Sequence, residues 1–142
     1  MDRLEFRIER LLLKNGNLVN NIRDHDLKKD DMTSSQSEAI LFYADHSGCS
    51  IKDLAVHLNI SHQAARKLVD KLKEKHILAI QVSKEDKRYT NVSLTAEGQE
   101  LSRRLKGNGF SVGEKMLNGF SAEEKGLLLN YMERIQLNLI SS

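Results

Sequence analysis

The stretch Ser50-Ile51-Lys52-Asp53-Leu54-Ala55-Val56-His57-Leu58-Asn59-Ile60-Ser61-His62-Gln63-Ala64-Ala65-Arg66-Lys67-Leu68-Val69-Asp70-Lys71-Leu72 decides the fold of this chain. Leu54, Ala55 and Leu58 fall on one face of a short helix that Ser50 is placed to cap. The chain turns at Asn59-Ile60. Ser61 is placed to cap a second helix, in which Ala65, Leu68, Val69 and Leu72 recur at i, i+3, i+4 and i+7 as one apolar stripe. At about 100° per residue, Gln63, Arg66, Lys67 and Asp70 leave from the opposite face. Two short helices around a tight turn, the second with a long polar outer face, form a helix-turn-helix.

Downstream, Leu78, Ile80 and Val82 fall at alternate positions, and so do Thr90, Val92 and Leu94. A period of two on both sides of the polar loop Ser83 to Tyr89 predicts an antiparallel hairpin with a charged tip. Helix, helix, hairpin is the order of a winged helix-turn-helix. The predicted lobe spans residues 31–95.

Upstream, Leu4, Ile8, Leu11, Asn15, Leu18 and Ile22 recur at spacings of four and three, a seam with a coiled-coil period widened by Leu12 and Val19. The polar stretch Asp24 to Asp31 is expected to end that helix. Thr33 and Gln36 form a capping box, followed by a helix with Ala39, Ile40 and Tyr43 inward, which stops near Gly48. Thr95 is placed to cap a long segment carrying Leu101, Leu105, Val112 and Met116. Gly107, Gly109 and Gly113 interrupt it at about 1 kcal/mol each relative to alanine, so a kink or break is expected there. Gly119 ends the segment. Ser121 with Glu124 opens a last helix carrying Leu128, Tyr131, Ile135 and Leu139. The first and last seams need cover that a small lobe does not provide. Residues 1–30 and 96–142 are therefore expected to form a helical dimerisation region. The fold class is mostly α with a small β-hairpin wing.

The 142 residues are 39% hydrophobic and 30% charged, in keeping with an ordered, packed chain. No apolar run approaches the ~20 residues of a membrane span, and Met1 to Glu5 does not read as a signal peptide, so no membrane partner is expected. Cys49 is the single cysteine, which precludes an internal disulfide and suits a reducing cytoplasm. It precedes a helix start, where a thiolate is favoured, but a small residue in a short strand beside the lobe is the plainer reading. No nucleophile–base signature, phosphate loop or dinucleotide glycine motif is present, so neither catalysis nor a cofactor is expected. His25, His46, His57, His62 and His76 show no i, i+4 pairing on one helix, and no metal site is expected. His25 between Asp24 and Asp26 reads as a solvated loop.

Net charge is +2, yet Ser61 to Arg88 holds eight cations against four anions. A basic segment on a near-neutral chain is the footprint expected for a polyphosphate partner, here double-stranded DNA. A recognition helix meets base edges in the major groove with its N-terminal side chains, which here are Ser61, His62, Gln63, Arg66 and Lys67. Glutamine pairs in two-point fashion with adenine, arginine with guanine. Lys71, Lys73 and Lys75 lie further along and suit phosphate contact or solvation. At the hairpin tip, Lys84, Lys87 and Arg88 are placed to reach the backbone or a narrow minor groove, with Asp86 holding the Arg88 guanidinium. The rival reading is a winged helix used only for protein contact.

Over nearly its full length the chain resembles the MarR (multiple antibiotic resistance regulator) family. The matching pieces are Met32 to Gln36, Cys49 to Ala55, Ile60 to Ala65, Leu68 to Leu72, the wing Asp86-Lys87-Arg88, and Val92-Ser93-Leu94-Thr95-Ala96-Glu97-Gly98. The D-x-R wing followed by L-T-x-x-G is the most specific of these. The resemblance implies a triangular homodimer joined by the first and last two helices. It also implies repression of promoters by steric occlusion, relieved by a small-molecule effector. Gly107 to Gly113 departs from the family's long helix. Phe6, Phe42, Tyr43 and Phe110 are candidates to line an effector pocket, or else plain core.

Overall fold

The computed structural model describes residues 3–82, 84, 85 and 90–141, the side chains of residues 109 and 110 excepted. Helix α1 (Leu4–Leu27) leads through a 3₁₀ turn (Lys28–Asp30) to α2 (Ser34–Asp45), α3 (Ile51–Leu58) and α4 (His62–Glu74). Strands β1 (Leu78–Val82) and β2 (Thr90–Leu94) follow, then α5 (Ala96–Met116) and α6 (Ala122–Ile140). Strand β1 pairs antiparallel with β2, Leu78 facing Leu94 and Ile80 facing Val92. The mostly α chain with one hairpin is thus observed as expected. No helix among the described residues is long and apolar enough to cross a membrane.

Side-chain caps start the helices of the lobe as the sequence predicts. Thr33 and Gln36 cap each other's backbone N–H groups, and so do Ser50 and Asp53. Ser61 Oγ accepts from Ala64 N–H at 3.0 Å. Three helices end on a left-handed residue that is not glycine: Asp31 (φ 54°), Asn59 (φ 55°) and His76 (φ 62°). At each one the next residue bonds five positions back, Met32 to Leu27, Ile60 to Ala55 and Ile77 to Leu72. This is the Schellman arrangement, and the paired residues are largely buried, so an apolar contact seals each end.

Helix α1 ends at Leu27, inside the polar stretch expected to end it. Its last polar residues are tertiary contacts. Arg23 donates to Glu38 at 2.5 Å and to the Ser37 hydroxyl at 2.7 Å, and the Asp24 carboxylate accepts from Ser34 N–H at 3.1 Å. His25 lies in the same helix and not in a loop. Helix α2 ends at Asp45, three residues before Gly48, whose φ is +88°.

The chain divides into two compact units, Met1–Gly109 and Phe110–Ser142. The core of the first unit is built from Ile40 and Tyr43 of α2, Leu54 of α3, Ala65, Val69 and Leu72 of α4, Leu78 and Val92 of the hairpin, and Leu101 and Leu105 of α5. The glycines at 107 and 113 do not break α5, which is one helix from Ala96 to Met116. Burial of Leu101 and Leu105 anchors its first half, and such packing overrides a propensity cost of about 1 kcal/mol per glycine. In the second unit Ser121 and Glu124 form the expected capping box, and Gly119 turns the chain ahead of it at φ +86°. No residue of α6 is buried within the chain.

Candidate nucleic-acid interface

Helix α4 is held from one side. Ala65, Val69 and Leu72 are wholly buried, while Ser61, His62, Gln63, Arg66, Lys67, Asp70 and Lys71 are exposed. The apolar stripe fixes the rotation of the helix, so its polar face has one orientation. Among the described residues, five of the six side chains expected along α4 make no hydrogen bond. Arg66 Nε stands 3.8 Å from the Asp70 carboxylate one turn on, with both side chains more than half exposed, a contact too solvated to lock either. Ser61 differs: its Oγ is occupied as the helix cap. Its role is to set where α4 begins, which in turn sets how far His62 and Gln63 project.

The lobe behind α4 is rigid at its capped ends. Tyr43 donates its hydroxyl to the Ser50 carbonyl at 3.0 Å, so α2 supports the start of α3 from beneath. Burial, and then the nearby Cys49 and Asp53, push the Tyr43 phenol well above its ordinary range, which keeps it a neutral donor. Hydrogen bonds from the Ser50 backbone and hydroxyl hold the Asp53 carboxyl below its ordinary value. The Cys49 carbonyl accepts from Val92 N–H at 3.0 Å. The thiol is therefore a partly buried structural neighbour of the hairpin, although Cys49 lies in no regular strand.

Lys84 and Glu85 of the hairpin loop are exposed. Asp86, Lys87 and Arg88 lie outside the described residues. The junction after the hairpin carries the L-T-x-x-G motif, and the structure explains it. Thr95 Oγ1 donates to the His76 carbonyl at 2.7 Å and accepts from Gly98 N–H at 3.0 Å, while Thr95 N–H bonds the Ile77 carbonyl at 3.0 Å. One threonine thus caps α5 and ties it to the end of α4.

Three features escaped the sequence reading. Lys75 is not a solvated or phosphate-facing lysine: its ammonium donates to the Asp31 carbonyl at 2.5 Å and is 21% exposed. Arg104 reaches Asp30 at 3.1 Å. His46 and His57 both lie against the Phe42 ring, each with its centroid 4.7 Å away. Except for Phe42 and His46, one helical turn apart, these partners lie far apart in the chain and leave no local signal. Of the residues expected around an effector, Phe42 and Tyr43 are core and Phe6 is exposed on α1. The Phe110 side chain is outside the described residues. A polar cavity of about 260 Å³ lies instead between α2 and α5, lined by Tyr43, Ser47, Ser102, Arg103 and Lys106 among others.

Residues 30–88 match the model of the MarR family. The uncharacterized HTH-type transcriptional regulator YdgJ of Bacillus subtilis is 31% identical over 100 residues, 70% of this chain and 60% of that protein. The match therefore spans less than two thirds of its relative's length. Among solved structures, a MarR protein from Peptoclostridium difficile superposes with a TM-score of 0.91 at 21% identity, covering 98% of this chain and 91% of that one. The S. aureus MepR–DNA complex superposes with a TM-score of 0.85 at 18% identity, covering 97% and 99%. At these identities the likeness is one of fold.

Proposed function

We propose that the chain, whose residues 30–88 match the MarR family model, is a MarR-family, sequence-specific, DNA-binding transcription regulator that grips its operator as a homodimer and represses the promoter beneath. The observation that carries this reading is α4. One face is locked into the core, and the other presents His62, Gln63, Arg66, Lys67 and Lys71 to solvent in a single orientation. Gln63 and Arg66 are the base readers, Lys67 and Lys71 flank them toward the phosphates, and Ser61 fixes the helix start. Lys84, Lys87 and Arg88 of the hairpin loop add backbone or minor-groove contacts, with Asp86 as support. That S. aureus MepR was solved on DNA with this fold supports the reading.

Exposed apolar side chains support the dimer. Leu4, Ile8, Leu11 and Leu18 of α1 and Leu128, Tyr131, Met132 and Leu139 of α6 are 37–66% exposed in the single chain. Residues 1–30 and 96–142 serve as the dimerisation region and 31–95 as the DNA-binding lobe. A small-molecule effector relieves repression, and the protein works in the cytoplasm, where its operator is.

The test is a titration of the full chain with a duplex selected in vitro and with a scrambled duplex, each at two salt concentrations. The expected result is a steep salt slope for both and at least ~10³-fold preference for the selected one. Equal, salt-insensitive binding or none would leave a protein-contact module as the function. Sedimentation of the same sample should give a species above the 16.2 kDa of one chain.

A further inference from the structure

Two acidic residues, Asp30 and Asp31, sit where the chain leaves α1, and each is held by a cation from a different helix. Lys75, at the C-cap of α4, donates to the Asp31 carbonyl at 2.5 Å and stands 3.6 Å from its carboxylate. Arg104 of α5 meets the Asp30 carboxylate at 3.1 Å. The backbone between them is tightly determined: Asp31 is left-handed, and Met32 N–H bonds back to Leu27. The Lys75 end is equally fixed, because His76 is left-handed and Ile77 N–H bonds back to Leu72. Two rigid helix ends therefore face each other across one lysine.

We propose that this acidic turn is a positioning joint, in which Asp30 and Asp31 set the placement of the recognition helix α4 against α1 and α5 through Lys75 and Arg104. The inference rests on the DNA-binding reading given above. It assigns Lys75, which lies in the basic segment, to geometry and not to phosphate. The contacts are partly exposed, so they add little to stability. They are well suited to choosing between arrangements that differ by small amounts, because such a pair shifts an equilibrium about threefold and the two copies in a dimer multiply this to about tenfold.

The joint also predicts which property of binding changes. A lysine on a phosphate, once lost, weakens binding to every duplex and lowers the salt slope by about one. A lysine that aims the helix leaves contact with a single half-site intact and relaxes the spacing the two copies of α4 demand.

The experiment uses the full chain with Lys75→Met and, separately, Asp30→Asn. Each is titrated with a selected palindromic duplex, with the same duplex lengthened or shortened by one base pair between half-sites, and with a single half-site. The expected outcome is a loss of spacing discrimination of about tenfold, with the half-site affinity and salt slope unchanged. A uniform loss over all duplexes with a reduced slope would overturn the joint and return Lys75 to the phosphates. A second measurement needs no DNA. Spin labels are placed through Asn21→Cys on α1 and Lys67→Cys on α4, in a Cys49→Ala background and diluted into unlabelled chain. Their distance distribution should broaden or shift in Lys75→Met. A distribution identical to that of the unsubstituted joint would overturn the proposal, whereas failure to select any duplex would count against the DNA-binding reading and leave the labels to decide the joint.

Discussion

Gly98 of α5 lies directly against the carbonyl of Ile77, and a Cβ built on it would overlap that oxygen and crowd Leu94. The obstacle is backbone, so it does not rotate away. Close approach at this point lets Thr95 bridge α5 to the residue that ends α4. The long helix and the recognition helix are thereby joined through one threonine and the absence of one methyl group.

Gly98→Ala should destabilise the lobe by about 1–3 kcal/mol, the range of overpacking at a site that cannot yield. Thr95→Val should cost about 1–2 kcal/mol through loss of the cap. Urea denaturation of each variant checks both. A Gly98→Ala midpoint equal to that of the parent chain would show that α5 shifts freely against Ile77.

His76 occupies a left-handed position with its side chain exposed. A β-carbon there costs about 1–2 kcal/mol, only partly offset by the extra freedom glycine brings to the unfolded chain. His76→Gly should therefore stabilise by about 0.5–1 kcal/mol. Asn59→Gly should be close to neutral, because asparagine tolerates this conformation. Thermal melts of the two variants side by side give the comparison, and a destabilised His76→Gly would mean that the imidazole does more than occupy the turn.

The Asp53 carboxyl is held below its ordinary value by its bonds from Ser50. A group lowered in the folded state contributes stability that is present above its unfolded pKa, about 3.9, and is lost as pH falls through the folded value. Asp53→Asn should thus be less stable than the parent chain at neutral pH. The gap should close on acidification below about pH 4. Stability measured by denaturant from pH 7 to 2.5 for both chains tests this, and a gap independent of pH would assign the effect to the amide's geometry.

Arg66 stands 3.8 Å from the Asp70 carboxylate, and in the proposed complex a base edge is its second acceptor. Arg66→Ala and Gln63→Ala should each cost roughly 1–3 kcal/mol of discrimination at one base-pair position. Asp70→Ala should raise affinity for all duplexes, since it removes a charge of the same sign as the phosphates from the DNA side. Competition titrations on operator and scrambled duplex check both directions. Asp70→Ala binding more weakly than the parent would mean that the carboxylate aims Arg66 at its base.

Periodicity and helix caps were sufficient for the order and type of the elements. The stripe of Ala65, Val69 and Leu72, the caps at Thr33, Ser50, Ser61 and Ser121, and the alternation of Ile80 and Val92 each depend on residues within one or two turns, and local chemistry dictates such elements. The polar face of α4 followed at once, because burying one side of a helix exposes the other. The tertiary structure decided the rest. It tied the end of α1 to α2, since Arg23 and Asp24 find partners there. It kept α5 whole across its glycines, since core contacts outweigh propensity. It also withdrew Lys75 from the basic face, because its partner Asp31 lies 44 residues away. A charge in the sequence names an interaction without naming its partner, and only the folded chain, by setting which groups are within reach, makes that choice.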